Sequence, residues 1–376
     1  MINIIYSEAY QDQAAARIRI IEPLEFLART KRFQCRSIES IIREYAKEGR
    51  FDLNNPGFRQ ADILYLFLTD VNQTNFNQMG GIIDYFLQSG KAVVTNLDDH
   101  YFKVPGSITV KRGMEENAAI FKQLIQVSRL VLVTGTVLKG EISKINPRVV
   151  LVPNMIDPAQ YSFRQGGNKA LRIGWCGLPS HFADLAMVIP AIKKIMESHA
   201  VEFTIFGLFN EDMKKTVSEA QETGIKIGEI EKKFPKGHFI TDALKMSKLL
   251  EGVPYTHVPL VPYKDFPAML SSLNFDIGLC PLQDTLFNRC KSAIKFAQYA
   301  AVGTVTVASN VYPYTAECNY LAENTPEDWY AKLLKLVEDE SLRNSILERQ
   351  HEYIMKNRTY KKGIALYEAL FNKISS

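Results

Sequence analysis

The sequence predicts an α/β protein built from two doubly wound, parallel-sheet domains, and three observations carry that reading. Short apolar, β-branched runs alternate with longer segments of helical period, the pattern of parallel strands joined by helical crossovers. The runs are continuous rather than alternating, as expected of strands covered on both faces. The pattern stops once, in a stretch carrying two prolines and a Gly-Gly pair, and then restarts. The length of 376 residues fits two or three domains of roughly 150 residues, and a 46% hydrophobic content supplies their cores.

The first domain is expected over residues 1–157. Its strands read as INIIY (2–6), DILYLFL (62–68), KAVVTNL (91–97), RLVLVT (129–134) and RVVLVP (148–153). Helical spacing fills 76–88 and 115–127 between them. PNMIDPAQYSFRQGGNK (153–169) lacks periodicity, so 158–169 reads as a linker. The second domain, 170–350, opens on LRIGWCG (171–177), a strand running into a glycine turn. Phe182, Leu185, Ala186, Ile189, Ile192 and Met196 then share one helical face. Further strands read as VEFTIFG (201–207), YTHVPLV (255–261), FDIGLCPL (275–282) and TVTVAS (304–309). The charged stretch 226–252 reads as an inserted surface helix, with a lid as the alternative; 326–374 reads as helical throughout.

Composition excludes several classes. The five cysteines, Cys35, Cys176, Cys280, Cys290 and Cys318, are scattered, with no CxxC pair, against a disulfide framework or structural zinc. The first residues turn polar at once and do not read as a signal peptide, and no stretch approaches the roughly 18 apolar residues of a membrane span. A cytoplasmic protein is expected, with peripheral contact on the inner face of a membrane left open. The net charge of +4 is mild, and no nucleic-acid partner is expected. Much of the basic excess falls early, in Arg29, Lys31, Arg32, Arg36 and Arg43, which read as a solvated surface or as a membrane or acceptor patch.

Ligands of parallel sheets bind beyond the carboxyl ends of the strands, so the residues following each strand are the candidates. After 171–177 comes GLPSHFADL, where the Gly177 turn enters a helix with Ser180 placed to cap it and His181 in its first turn. Such a turn suits a phosphate; the plain alternative is an ordinary capped βα turn. It lacks the GxGxxG fingerprint, which disfavours a dehydrogenase. After 275–282, Lys291, Ser292, Lys295 and Gln298 recur at helical spacing. Two lysines at a helix start oppose the dipole, so an anion such as a diphosphate is expected there, unless both merely reach solvent. In the first domain Asp98, Asp99 and His100 end a strand, placed to contact sugar hydroxyls or move a proton, or simply to form a capped turn. Three such residues alone do not suffice for a zinc or magnesium site, and no metal is expected.

At this point the residues resemble a family. VVLVPNMID (149–157) is similar to the last strand and hinge of group 1 glycosyltransferases, with their PN-x-(I/V)-D signature. CPLQDTLFNRCKSAIKFAQYAAVGTVTVASNVYPY (280–314) resembles a variant of the family 4-like donor site, with an FN-x-x-KS-x-x-K run before a V-x-AS strand. ARIRIIEPLEFL (16–27) and NLDDHYFKVP (96–105) are similar to first-domain segments of that variant, so the likeness touches nearly the whole chain.

The resemblance implies the GT-B architecture: two Rossmann-like domains facing a central cleft, with C-terminal helices, 351–376, crossing back to the first domain. It implies a nucleotide-sugar donor as substrate, no cofactor, no essential metal and retention of anomeric configuration. It implies a glycan, lipid-linked or other hydroxyl acceptor, in cell-surface polysaccharide or glycoconjugate assembly. Lys291 and Lys295 would meet the donor phosphates, Gly177, Ser180, His181, Asn288 and Ser292 would lie against the donor, and Asp98, Asp99 or His100 would face the transferred sugar. The sequence departs from the family in one respect. Two glutamates eight residues apart are usual near this helix; here Cys290 and Gln298 stand there, with Asp284 as a substitute acid. That departure motivates a catalytically silent, glycan- or partner-binding subunit as an alternative. A sugar-nucleotide epimerase ranks lower, because Asp98–His100 is the one acid/base cluster in sight.

Overall fold

The computed structural model describes residues 1–8, 13–45, 52–105, 111–164, 166, 168–208 and 239–375. Within the charged stretch 226–252, residues 226–238 lie outside them; the helix Phe239–Leu249 follows.

Each half carries a six-stranded, all-parallel sheet. The first contains β1 (Ile2–Tyr6), β2 (Phe33–Ser37), β3 (Ile63–Phe67), β4 (Ala92–Leu97), β5 (Leu130–Val133) and β6 (Val149–Leu151), in the order β2-β1-β3-β4-β5-β6. The second contains β7 (Leu171–Gly177), β8 (Val201–Gly207), β9 (Thr256–Val258), β10 (Ile277–Cys280), β11 (Val305–Ser309) and β12 (Leu321–Ala322), in the order β12-β11-β10-β7-β8-β9. Central strands such as β3 and β4 are buried at every residue, which is why their sequences are apolar throughout. β2 (FQCRS) and β12 are edge strands with half-exposed positions, and neither shows a continuous apolar run.

Two apolar layers flank each sheet. In the first domain one layer gathers Ile82, Phe86, Phe121 and Leu138, the other Leu24, Tyr65, Tyr367 and Phe371. In the second, Trp175, Ile192 and Trp329 fill one face, and Phe275, Phe296 and Tyr299 the other. Tyr299 lies so close to β10 that a Cβ on Gly278 would come within 2.7 Å of its ring. The glycine lets the helix Ile294–Ala301 settle on the sheet, and that helix carries Lys295.

The helices Pro326–Glu338 and Glu340–Asn357 stay with the second domain, burying Trp329, Leu333 and Ile354. The chain then crosses back beside the hinge. Ile156 N–H donates to Arg358 O at 2.8 Å, and Tyr360 N–H to Ile156 O at 3.1 Å, so both inter-domain crossings run side by side. The final helix, Tyr360–Ser375, buries Tyr367 and Phe371 in the first domain. Each such side chain contributes about 1.5–3 kcal/mol to that docking.

The early basic residues split in their contacts. Arg32 pairs with Glu368 and Arg36 with Glu44, while Arg29 stacks 4.3 Å over Phe26. Among the described residues no helix is long and apolar enough to cross a membrane, and no three His, Cys, Asp or Glu side chains converge on one point.

Candidate active site

The carboxyl ends of β4, β7 and β10 face one another across the cleft between the domains, and a cavity of about 130 Å³ lies there. Asp98, Asp99, His181, Lys291, Ser292 and Lys295 are on its wall. A second cavity of about 250 Å³ lies between the helices Phe76–Gln88 and Lys111–Val127, with Asp84 as the only ionisable group lining it. The cleft is where charge converges.

On the first-domain wall, Asp98 and Asp99 follow β4 directly. Tyr101 Oη–H donates to Asp98 Oδ1 at 2.7 Å, and Thr134 Oγ1–H to the Asp98 carbonyl at 3.2 Å. Burial first, and the Asp99 charge second, push Asp98 up to about 6, against the pull of Tyr101, Lys291 and Arg19. Asp99 instead reaches across the cleft, where Lys291 Nζ donates to its two oxygens at 2.9 and 3.2 Å. His100 turns away from the cavity; it is buried, 3.5 Å from Glu141 Oε2, and burial holds its pKa below the usual value.

On the second-domain wall, β7 ends at Gly177. A Cβ there would meet the Trp175 ring at 2.6 Å and Lys295 Nζ at 3.0 Å, so only glycine leaves room. Lys295 Nζ sits 5.0 Å from the Trp175 ring centroid, a cation–π contact. Among the described residues it has no hydrogen bond and no ion pair, and burial lowers its pKa. Half-buried, with Asp184 acting on it without pairing, the ammonium is only partly compensated, and an anion placed beside it relieves the remaining cost.

The segment after Gly177 departs from the expected capped helix. Ser180 is exposed inside the short 3-10 turn Pro179–His181 and caps nothing, because Pro179 already occupies the first position of the turn behind an extended Leu178. His181 bonds Asp184 instead, Nδ1 to Oδ2, at 2.7 Å. Burial opposes the charge on Asp184, but His181, the Gln283 N–H at 2.7 Å and Lys295 together hold its pKa below the ordinary carboxyl value. Burial, with Lys295 and Lys291 adding repulsion, drives His181 down to about 4. The imidazole is therefore neutral at pH 7, with its Nδ1 proton given to Asp184 and Nε2 left as an acceptor.

The lysine helix also differs from the sequence reading. The helix begins at Ile294, so Lys291 and Ser292 belong to the turn before it rather than to its first face. That turn brings Lys291, Ser292 and Lys295 to one cavity. Gln298 points into the domain interior, donating to Tyr263 Oη at 3.3 Å. Asn288 is buried and donates to Gln283 O at 2.9 Å and Asp184 Oδ1 at 3.3 Å, so it braces the loop. Asp284 pairs with Arg289 at the surface. Cys290 packs among the first domain's apolar residues, and burial pushes its thiol up to about 12. Asp284, Asn288, Gln298 and His100 are thus apart from the cavity wall, whereas Asp98, Asp99, His181, Lys291, Ser292 and Lys295 share it.

Sequence reasoning missed three groups. Asn154, in the hinge, donates to Ser292 Oγ at 2.8 Å. Tyr312 Oη accepts the Thr136 N–H at 2.9 Å, tying β11's trailing loop to a first-domain helix start. Asp184 anchors His181; its i, i+3 spacing from that histidine was the available signal.

Solved structures share this fold. A glycosyltransferase from Rickettsia africae ESF-5 is 10% identical, with 99% of this chain and 98% of that one covered and a TM-score of 0.61. Anabaena HepE in complex with UDP and glucose is 10% identical over 99% and 100% of the two chains, TM-score 0.62. An alpha-glucosyltransferase in complex with UDP is 12% identical over 100% and 99%, TM-score 0.63. No protein-family model matches the chain, and no curated protein matches it in sequence. Two facing parallel sheets, a returning C-terminal helix and these likenesses across the whole chain establish the GT-B fold.

Proposed function

We propose that the chain is a glycosyltransferase that moves a sugar from a nucleotide-diphosphate donor to a hydroxyl of a glycan, lipid-linked or other acceptor. The observation that carries this reading is the unpaired Lys295 ammonium against the Gly177 turn, with Lys291 beside it and two carboxylates on the opposite wall. In the transition state, charge accumulates on the leaving diphosphate, and cations fixed in advance stabilise it without reorganising. Lys295 takes one phosphate oxygen; Lys291 exchanges Asp99 for another. Neutral His181 offers Nε2 to a hydroxyl proton of donor or sugar. Asp98 faces the transferred sugar, and ionised above its pKa of about 6 it accepts a hydroxyl hydrogen bond or stabilises developing positive charge. The two lysines supply the charge that a metal supplies elsewhere, and the scheme needs no cofactor. Retention of anomeric configuration belongs to the same proposal.

The solved structures with UDP and with glucose bound support a uridine diphosphate sugar as the first donor to test. The free cysteines are consistent with a reducing cytoplasm, and exposed Arg29 and Lys31 with peripheral contact at a membrane's inner face. Thermal shifts with UDP, GDP, ADP and dTDP, followed by their sugar conjugates, test the donor site. A stabilising ligand and turnover lost in Lys291→Ala are expected; no shift with any of them refutes the reading. A second reading, a catalytically silent GT-B subunit, is favoured by Cys290 and Gln298 both lying away from the cavity. Donor turnover by the pure protein excludes it.

A further inference from the structure

The helix over residues 14–29 carries a π turn, Arg17–Ile21, and inside it Arg19 is wholly buried. Arg19 Nε donates to Asn96 Oδ1 at 2.8 Å; Nη1 donates to Val152 O at 2.6 Å and Asn154 Oδ1 at 3.0 Å. Nη2 has no partner, and among the described residues no carboxylate pairs with the guanidinium. Burying such a charge is expensive, and two neutral amides do not neutralise it. π turns recur at functional sites, and this one abuts the cleft, where Ala14, Ala15 and Ile18 line the cavity.

The guanidinium has only donors, so Asn154 must offer it the amide oxygen. The Asn154 amide nitrogen is thereby turned to Ser292 Oγ, 2.8 Å away, which accepts. Ser292 has one hydroxyl proton, and among the described residues nothing else bonds it. Ser292 and Asn154 both line the cavity beside Lys291 and Lys295. We infer that Arg19 and Asn154 are positioning residues: they fix the Ser292 hydroxyl as a donor to a diphosphate oxygen of the nucleotide ligand. This rests on the donor-site reading above. Because Arg19 belongs to the first domain, Asn154 to the hinge and Ser292 to the second domain, the donor is aimed only when the domains stand as they do here. The relay thus makes anion binding and domain closure one event.

The test uses the full chain and whichever of UDP, GDP, ADP and dTDP the wild type binds, with affinity read by calorimetry and stability by thermal unfolding. Ser292→Ala and Asn154→Ala each weaken binding about tenfold, the worth of one hydrogen bond to a charged group. The double variant binds within about twofold of Ser292→Ala, because Asn154 acts through Ser292. Asn154→Asp is a second check beside the double variant. It pairs Arg19 with a carboxylate, raising the melting temperature, yet draws the Ser292 proton to itself, weakening binding about tenfold or more. A purely structural role would leave the two single losses additive in the double variant. Additive losses in the double variant, or wild-type affinity in Asn154→Asp, overturn the relay alone. A wild type that binds none of the four overturns the donor-site reading and the relay with it.

Discussion

Replacing Asp99 by asparagine removes the anion that holds Lys291. The pair spans 2.9 Å, with side chains 18% and 24% exposed, between the surface and buried limits. At a charge separation of about 4 Å the attraction is about 1 kcal/mol in water and about 4 at an effective dielectric of 20. Desolvation of both groups offsets much of this, and a net value of about 1–2 kcal/mol follows. A diphosphate that takes Lys291 must first displace Asp99. Asp99→Asn lifts that cost, so nucleoside diphosphate should bind about 5–30-fold more tightly by calorimetry. The same change relieves Asp98 of a like charge, one of the causes that hold its pKa near 6. An acidic limb in kcat/KM set by Asp98 should accordingly move to lower pH in Asp99→Asn. Unchanged or weaker diphosphate binding would show that Lys291 does not exchange Asp99 for phosphate, and the proposed role of the bridge would fail.

Lys295→Met removes a half-buried cation with no ion-pair partner among the described residues; it should raise thermal stability while weakening nucleoside diphosphate binding about 100-fold, and a loss of stability would contradict the placement of Lys295. Gly177→Ala drives a Cβ into Trp175 and Lys295, and should cost about 1–3 kcal/mol in urea unfolding and about tenfold in affinity; a neutral variant would refute the close packing. For His181, a folded pKa of about 4 against an ordinary 6.5 means that the unfolded chain takes the proton first. The stability owed to neutral His181 is complete above pH 6.5 and is lost as the pH falls from 6.5 towards 4, about 2 kcal/mol of it by pH 5. His181→Gln should therefore lose less stability than wild type between pH 7 and pH 5, and equal losses would refute the assignment.

The sheets were legible wherever a strand is covered on both faces. β3, β4, β5, β10 and β11 are buried throughout and read directly as apolar runs. β2 escaped notice because an edge strand keeps polar Gln34 and Arg36, so its pattern matches a loop. Within the site, Lys291 and Lys295 stood out as two cations near a helix start, and both reach the cavity. Their spacing suggested one helical face, yet the helix starts at Ile294, and its N-cap position, Ala293, has no side-chain acceptor that could have marked the boundary. Arg19 was invisible for a different reason. Within RIRII it reads as the polar side of a helix, and its burial depends on Asn96 and Asn154, which lie 77 and 135 residues further on. Local pattern cannot reveal a polar core assembled from such distant segments.

The two cations on the cavity wall, and Arg19 buried behind it, differ in what holds them, and the difference argues for a division of labour. Arg19 has fixed neutral partners, Lys291 a removable anionic one, and Lys295 an aromatic face, with Asp184 acting on it but not paired to it. A site meant only to stabilise the fold would pair all three, since an unpaired buried charge weakens the native state. A site meant to grip a diphosphate needs positive charge that is fixed before the ligand arrives and free of competing anions at the point of contact. Lys295 meets that requirement more nearly, since no carboxylate is paired with it among the described residues. Lys291 meets it only by letting go of Asp99, a carboxylate on the opposite wall, so the exchange ties occupancy of one domain to a change at the other. The affinity of Asp99→Asn and the stability of Lys295→Met therefore probe opposite sides of one design, and both must move as stated for the electrostatic account to stand.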